Sequence, residues 1–172
     1  MPKHFYRFIK ADVTFIALDT NAQLFNVAKE QEETVPSWLA NIDSTWKIAY
    51  GHHPYLSNGR HGNAGSYDNL PIDVIADGRF VKRFAEEVWC GKVDMYLAGH
   101  DHSRQWLGVD CEGTSLVVSG AGSSTTALPG NNPVLFQSDE LGFLYVRIEG
   151  NTLTGEFIDD KGNIEFTHVI KK

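Results

Sequence analysis

The sequence has little of several features that define specialised protein classes. Only two cysteines, Cys90 and Cys111, occur among its 172 residues, too few for the disulfide framework of a small secreted scaffold. We expect two free thiols, with a single bridge as the alternative. No stretch approaches the roughly 18 apolar residues of a membrane helix, and the N-terminal MPKHFYRFIKADV lacks the apolar region of a secretory signal.

Positive charge is scarce as well. Fifteen Lys and Arg stand against 22 Asp and Glu, a formal net charge of −7. Because such a chain repels a phosphate polymer, we expect no nucleic-acid partner, and no membrane partner either. A small phosphorylated substrate remains compatible, since a bound metal reverses the local field. The hydrophobic fraction of 42% excludes wholesale disorder.

Short apolar runs alternate with helical or loop stretches in the first part of the chain. The runs predict strands, and a short helix capped by Thr34 is expected between the first two of them. A second helix is expected to follow Asp77, with Phe80, Phe84 and Val88 on one apolar face. The predicted elements are strands Val13–Leu18, Trp46–Tyr50 and Val93–Ala98 and the helix Pro36–Ile42.

The pattern changes in the last third of the chain. Apolar and polar residues alternate there, and Gly150-Asn151 and Lys161-Gly162 supply tight turns. This spacing predicts an antiparallel meander after a strand–helix–strand unit, so the fold class is α/β (α+β). The predicted strands are Ser115–Ser119 and the three that these turns connect, Phe143–Glu149, Thr152–Asp159 and Asn163–Ile170.

Four of the seven histidines directly follow two predicted strands, in a GHHP motif at residues 51–54 and a GHDH motif at residues 99–102. Residues just past the carboxyl ends of strands gather in one crevice of α/β folds. Since unpaired polar groups in a crevice cost free energy unless something binds them, we predict that His52, His100 and His102 are metal ligands. The H-x-H spacing allows one metal or two adjacent metals.

Other polar residues surround these ligands. His61 lies nine positions after His52 in a glycine-rich loop, where it either protonates a leaving group or is solvated. Arg60 beside it either clamps a phosphate or is solvated, and we favour solvation. His53 is expected to lie behind the ligands or simply to pack, and Asp101 to fix its loop by accepting a backbone hydrogen bond.

The segment GHHPYLSNGRHG, followed by YLAGHDH, resembles the calcineurin-like metallophosphoesterases, and within them the purple acid phosphatase branch that includes the tartrate-resistant acid phosphatases. The LDTN segment and the SGAGS segment at Ser119–Ser123 add to the resemblance. It implies that residues 1–172 are a single, apparently partial metallophosphoesterase domain. The implied fold is the C-terminal half of an αββα sandwich.

The resemblance also implies a chemistry. Members of the family use a metal pair, typically Fe(III) with Fe(II), Zn(II) or Mn(II). His52 and His100 would bind the divalent metal, His102 the ferric ion, and His61 would lie near the leaving group. The expected reaction is hydrolysis of a small phosphomonoester by a metal-activated hydroxide, as in an acid phosphatase.

The remaining ligand motifs of the family have no counterpart in residues 1–172. They are a D-x-H or D-x-G segment, a GD segment with a tyrosine, and a GN[HD] segment, and all lie upstream in family members. We therefore expect one well-bound metal and weak activity from these residues alone. The alternatives are a non-catalytic metal-binding or interaction module and a mononuclear zinc hydrolase using His52, His100 and His102.

Half of such a fold also has a structural consequence. We expect one sheet face and an edge strand to lack a partner. The chain is then expected to pair with another copy of itself or with a complementary N-terminal half.

Overall fold

Two sheets build the structure, a computed structural model that describes residues 3–70 and 75–172. A seven-stranded mixed sheet has the order β1-β2-β3-β4-β6-β5-β7, and a three-stranded antiparallel sheet has the order β10-β9-β8. The strands are β1 Tyr6–Lys10, β2 Val13–Ala17, β3 Trp46–Tyr50, β4 Met95–Ala98, β5 Arg104–Leu107, β6 Ser115–Ser119, β7 Val134–Ser138, β8 Gly142–Glu149, β9 Thr152–Asp159 and β10 Ile164–Lys171.

Helices occupy the connections of the first half. They are α1 Thr20–Leu24, α2 Lys29–Ala40 and α3 Arg79–Phe84, with a π-helical turn over Ala85–Trp89 and 3-10 turns over Tyr67–Asn69 and Ile75–Asp77. No helix in these described parts of the chain has the length and apolar character that a membrane span requires.

The centre of the larger sheet is parallel. Strands β2, β3, β4 and β6 pair in parallel, with Ile48 opposite Met95 and Tyr50 opposite Leu97 across β3 and β4. Such strands are buried on both faces, which is why their sequences are nearly continuous apolar runs. The carboxyl ends of β3 and β4 therefore lie side by side, and the two histidine motifs follow them, as predicted.

Both faces of the seven-stranded sheet are covered by this chain's own elements over its central strands. Side chains from α2, α3 and the π-helical turn pack on one face, where Val35, Phe84 and Trp89 are buried. The three-stranded sheet packs on the other face and contributes Leu153 and Phe157, both 0% exposed. The expected loss of cover is therefore wrong for this sheet, because the meander folds back over it.

An apolar surface remains on the outside of the three-stranded sheet. Phe143, Tyr145, Ile164 and Val169 are exposed there, and Phe143 keeps 50% of its surface accessible. We call these four residues the outer patch. The edge strand β1 is exposed as well over most of its length. The sheet face without a partner is thus the outer face of the three-stranded sheet, and not a face of the seven-stranded sheet.

The two cysteines form a disulfide, so the expectation of two free thiols is wrong. The Cα atoms of Cys90 and Cys111 are 5.2 Å apart. Cys90 precedes β4 and Cys111 precedes β6, and these strands are parallel neighbours in the sheet. The pairing of these strands brings their amino ends together, and the two cysteines with them. The spacing of the cysteines along the sequence does not reveal this pairing.

Helix α2 begins earlier than predicted. It starts at Lys29, and Thr34 lies inside it rather than at its cap. Gln31, Val35 and Leu39 form its buried face at a spacing of four residues. The sequence does not reveal this start because the first turns, with the sequence KEQEE, are polar. Gln31 is their only buried residue. Pro36 is accommodated inside the helix.

Candidate metal and phosphoester site

The two histidine loops meet at the carboxyl edge of the parallel strands. The Nε2 atom of His52 lies 3.1 Å from the Nδ1 atom of His100. Gly51 allows this turn, since a Cβ atom there would lie 2.7 Å from a methyl of Thr20 and 2.8 Å from the hydroxyl of Tyr96. His100 itself has a φ of +65°, a conformation that non-glycine residues rarely adopt and that often marks a functional site.

The spacing of these nitrogens suits a shared ion. Two nitrogens that each lie about 2.1 Å from one metal are separated by roughly 3.0–3.4 Å at octahedral or tetrahedral angles. Among the described residues, the ligand atoms of His52, His53 and His100 lie within 4.8 Å of one another. The donor set is made of imidazoles, which suit zinc, iron and related ions. The residues present therefore fit a metal.

The hydroxyl of Thr20 determines what His53 can do. The Thr20 Oγ1 atom lies 3.0 Å from the backbone nitrogens of His52 and His53 and from His53 Nδ1. The two backbone N–H groups can only donate, so the oxygen accepts from both and its own hydrogen remains for Nδ1. Nδ1 then accepts, and the ring proton sits on Nε2. This hydrogen-bonding pattern leaves the buried His53 without a lone pair on Nε2 for a metal.

His102 lies beside the three clustered histidines rather than among them. Its Nδ1 atom is 2.7 Å from the hydroxyl of Ser124, and the backbone nitrogen of Thr126 donates to its carbonyl. The Nε2 atom is left available, and the ring is exposed. The placement of His102 suits a ligand to a second ion better than a third ligand to the ion between His52 and His100.

A second loop places His61 next to His100. Their ring centroids are 4.1 Å apart, and the Nδ1 atom of His61 donates to Asp68 over 2.8 Å. Asp101, which is fully buried, accepts from the backbone nitrogen of His61 at 2.9 Å. A Cβ atom on Gly59 would lie 2.2 Å from the carboxyl carbon of Asp101. The GHDH loop and the glycine-rich loop are therefore held in close contact.

The clustered imidazoles are neutral at pH 7. Burial, with the neighbouring rings of His100, His52 and His61, lowers the pKa of His53 to about 3. Burial, with His61 and His52, lowers the pKa of His100 to about 4. The pKa of His52 is lowered in the same way by burial and by His102 and His61. Since metals bind neutral imidazole, the depressed pKa values leave the ring nitrogens of His52 and His100 available as donors.

Replacing Thr20 with valine should cost about 2 kcal/mol or more of unfolding free energy. The substitution keeps the branched shape but leaves the part-buried N–H of His52 and the buried N–H of His53 without their acceptor. Thr20→Ser, which keeps the hydroxyl, is the matched control and should be close to wild type. Urea unfolding measures both variants. Equal stability of Thr20→Val and Thr20→Ser would contradict the hydrogen bonds described here.

Some site residues were not anticipated from the sequence. Thr20 is apparent there only as part of the LDTN segment, and Asp68 belongs to no motif. Ser124 follows the SGAGS segment that carried part of the resemblance. Thr20 lies 33 positions from His53 and Ser124 lies 22 positions from His102, so the fold brings these pairs together, whereas Asp68 is seven positions from His61 in the same loop. His4 and His168, to which the sequence assigns no role, lie outside the cluster, and His168 packs 4.8 Å from the Trp106 ring.

Comparison with known proteins identifies relatives among plant phosphatases. Purple acid phosphatase 4 of Arabidopsis thaliana is 29% identical over 129 residues, covering 73% of this chain and 34% of that protein. Purple acid phosphatase 17 of the same plant is 28% identical over 140 residues, covering 78% of this chain and 38% of that protein. The chain thus spans about a third of the length of these curated relatives. No protein-family model matches it.

Solved structures share the fold. The purple acid phosphatase PPD1 of yellow lupin superposes with a TM-score of 0.74 at 20% identity, covering 97% of this chain and 32% of that one. GAP50, the anchor in the inner membrane complex of Plasmodium, gives the same TM-score and identity over 99% of this chain and 55% of that one. At this level of identity the likeness establishes the fold alone.

Proposed function

This chain is a homologue of the purple acid phosphatases, within the calcineurin-like metallophosphoesterases, and from that premise we propose that it is a metal-dependent phosphoester hydrolase of the acid phosphatase type. The observation that carries the proposal is the 3.1 Å approach of His52 Nε2 to His100 Nδ1. His52 and His100 would hold one ion, and His102 would hold a second ion beside it. A metal pair in such a site activates the attacking water and neutralises the phosphoryl oxygens.

His61 acts on the leaving group in this proposal. Because Asp68 accepts the hydrogen of its Nδ1 atom, the carboxylate orients the ring, and the protonated ring would give its Nε2–H to the departing alcohol oxygen. Asp101 holds the backbone of His61 and so fixes the ring relative to His100. His53 and Thr20 position the GHHP loop from behind, without touching substrate.

No carboxylate joins the three-histidine cluster in the described parts of the chain. Two ions held only by neutral imidazoles repel each other, and a bridging carboxylate would offset this. We therefore propose that one ion binds well and that residues 1–172 alone turn over phosphomonoesters weakly. A mononuclear zinc hydrolase with His52, His100 and His102 is the variant of this proposal that needs no bridge.

A non-catalytic role is the second candidate. It is favoured by the missing carboxylate and by the shared fold with GAP50, which is described as an anchor. The outer patch would then serve as a contact surface for another copy or for a complementary N-terminal half. In either candidate, sedimentation should show self-association when no such half is present.

Metal content and turnover test the proposal together. Apo protein is titrated with Zn²⁺ and with Fe²⁺ under anaerobic conditions, and hydrolysis of para-nitrophenyl phosphate is then followed for the metal-loaded chain. We expect about one ion per chain and slow, metal-dependent hydrolysis that chelators abolish. Absence of any bound metal would contradict the proposal and favour the non-catalytic role.

A further inference from the structure

A polar cavity adjoins His61 on the side of the glycine-rich loop. Its volume is about 230 Å³, enough for a small polar group and too little for a macromolecular segment. Arg60, His61, Asn63 and Ser66 line it together with the loop of residues 129–132. Among the described lining residues, Pro129 alone has a mainly apolar side chain, so an apolar ligand group would gain little free energy from burial there.

The walls of this cavity are fixed by side-chain amides. Asn132 donates through Nδ2 to the Asn63 side chain at 2.9 Å and to the Ser57 carbonyl at 3.1 Å. Asn58 donates to the carbonyl of Asn132 at 3.0 Å and to the Gln137 side chain at 2.8 Å. These bonds lock the glycine-rich loop against the 129–132 loop. The cavity is therefore preformed, which reduces the ordering cost of a ligand.

The charge of the lining is unusual for this chain. The whole sequence carries a net charge of −7, yet among the described residues that line the cavity there is no Asp or Glu, and Arg60 is present. Arg60 is exposed, and no hydrogen bond or ion pair engages its guanidinium within the described residues. A guanidinium in such a setting is suited to bind a carboxylate or phosphate in a bidentate way.

We propose that this cavity receives the leaving group of the phosphoester and selects one that is hydroxylated and carries a second anionic group, which Arg60 binds. The proposal rests on the hydrolase function above, since His61 separates the clustered histidines from the cavity. The shared chemistry is a carboxylate or second phosphate attached to a short polar carrier. Apolar aryl groups gain little here. Arg60 is thus a specificity residue rather than a solvated one, contrary to the interpretation favoured from the sequence.

Three ligands of graded chemistry test this inference on the zinc-loaded chain. Isothermal titration compares 3-phosphoglycerate, glycerol 3-phosphate and phenyl phosphate, with inorganic phosphate as the reference for the metal site. We expect 3-phosphoglycerate to bind roughly tenfold more tightly than glycerol 3-phosphate, the effect of one charge-assisted contact. Glucose 1,6-bisphosphate, set against glucose 6-phosphate, tests the phosphate form of the second anion and should show a similar preference.

Arg60→Gln should abolish the preference for the second anion and leave glycerol 3-phosphate binding unchanged. Arg147→Gln is the matched control, because Arg147 is exposed on the distant outer face of the three-stranded sheet, and it should keep the preference. Equal weakening of all ligands in Arg60→Gln would place Arg60 at the transferred phosphoryl group and overturn the inference. Loss of the preference in Arg147→Gln would reduce it to a general effect of charge and overturn it too.

The outcomes separate this inference from the proposed function. If inorganic phosphate binds only when zinc is present, but 3-phosphoglycerate and glycerol 3-phosphate bind equally, the hydrolase proposal stands and the anionic pocket is refuted. If no phosphate compound binds in the presence of zinc, the proposed function is refuted, and the anionic pocket is refuted with it.

Discussion

Replacing His100 with asparagine should lower the affinity for Zn²⁺ more than about 100-fold. Loss of residues that only support a ligand costs 10–100-fold in metal affinity, and His100 supplies one of two nitrogens that lie 3.1 Å apart. Asparagine is chosen because it tolerates the left-handed backbone at φ +65°, so the loop should keep its shape. Calorimetric titration of apo protein with Zn²⁺ measures the change.

His4→Asn is the matched control for this experiment. His4 is exposed and lies outside the cluster, so its loss should leave zinc affinity unchanged. His52→Asn removes the facing nitrogen and should reproduce the effect of His100→Asn, while circular dichroism checks that both variants fold. Unaltered zinc affinity in both folded variants would rule out the shared ion.

Truncating Phe157 to alanine should destabilise the chain by roughly 3–5 kcal/mol, the usual cost of removing a buried phenyl ring. Phe157 is 0% exposed and lies between the two sheets, where its ring centroid is 5.1 Å from that of Phe136. The cavity left behind cannot easily collapse, because rigid strands bound it on both sides. Thermal and urea unfolding give the measure.

The same deletion on the other side of the same sheet is the control. Phe143 belongs to the outer patch and is 50% exposed, so Phe143→Ala should cost less than about 1 kcal/mol in a monomer. If the outer patch mediates self-association, this variant should instead shift the sedimentation equilibrium towards monomer. Equal destabilisation by both substitutions would mean that the three-stranded sheet does not pack as described.

The sequence predicted well those elements whose local pattern of apolar and polar residues matches which side chains are buried. Strands β3 and β6 have the predicted bounds, because strands buried on both faces have mostly apolar sequences. The meander was predicted because its turns and alternation are local. Strands β1, β5 and β7 were missed. In β5 the polar Arg104 and Gln105 are fully buried, and their partners, Glu165 among them, come from distant parts of the chain.

The site shows the same division. Its histidines could be predicted because each motif sits directly after a recognisable strand, and strand ends of a parallel sheet share one edge. The hydroxyl that orients His53 and the carboxylate that holds His61 could not, since Thr20 lies 33 positions from His53 along the chain and Asp68 has no motif around it. The ligand roles of His52, His100 and His102, and the reading of residues 1–172 as one domain, stay predictions.

The parallel pairing of β3 and β4 sets an order of events for the site. His52 and His100 are 48 positions apart, and parallel strands require a long crossover that must close before they pair. Contacts of this kind form late, because the entropy of closing the chain is lost before they contribute any stability. An unfolded chain offers a metal only neighbouring pairs such as His100 and His102. The two-nitrogen site is therefore completed only when the sheet assembles, so the proposed ion would stabilise the folded state rather than direct the chain towards it.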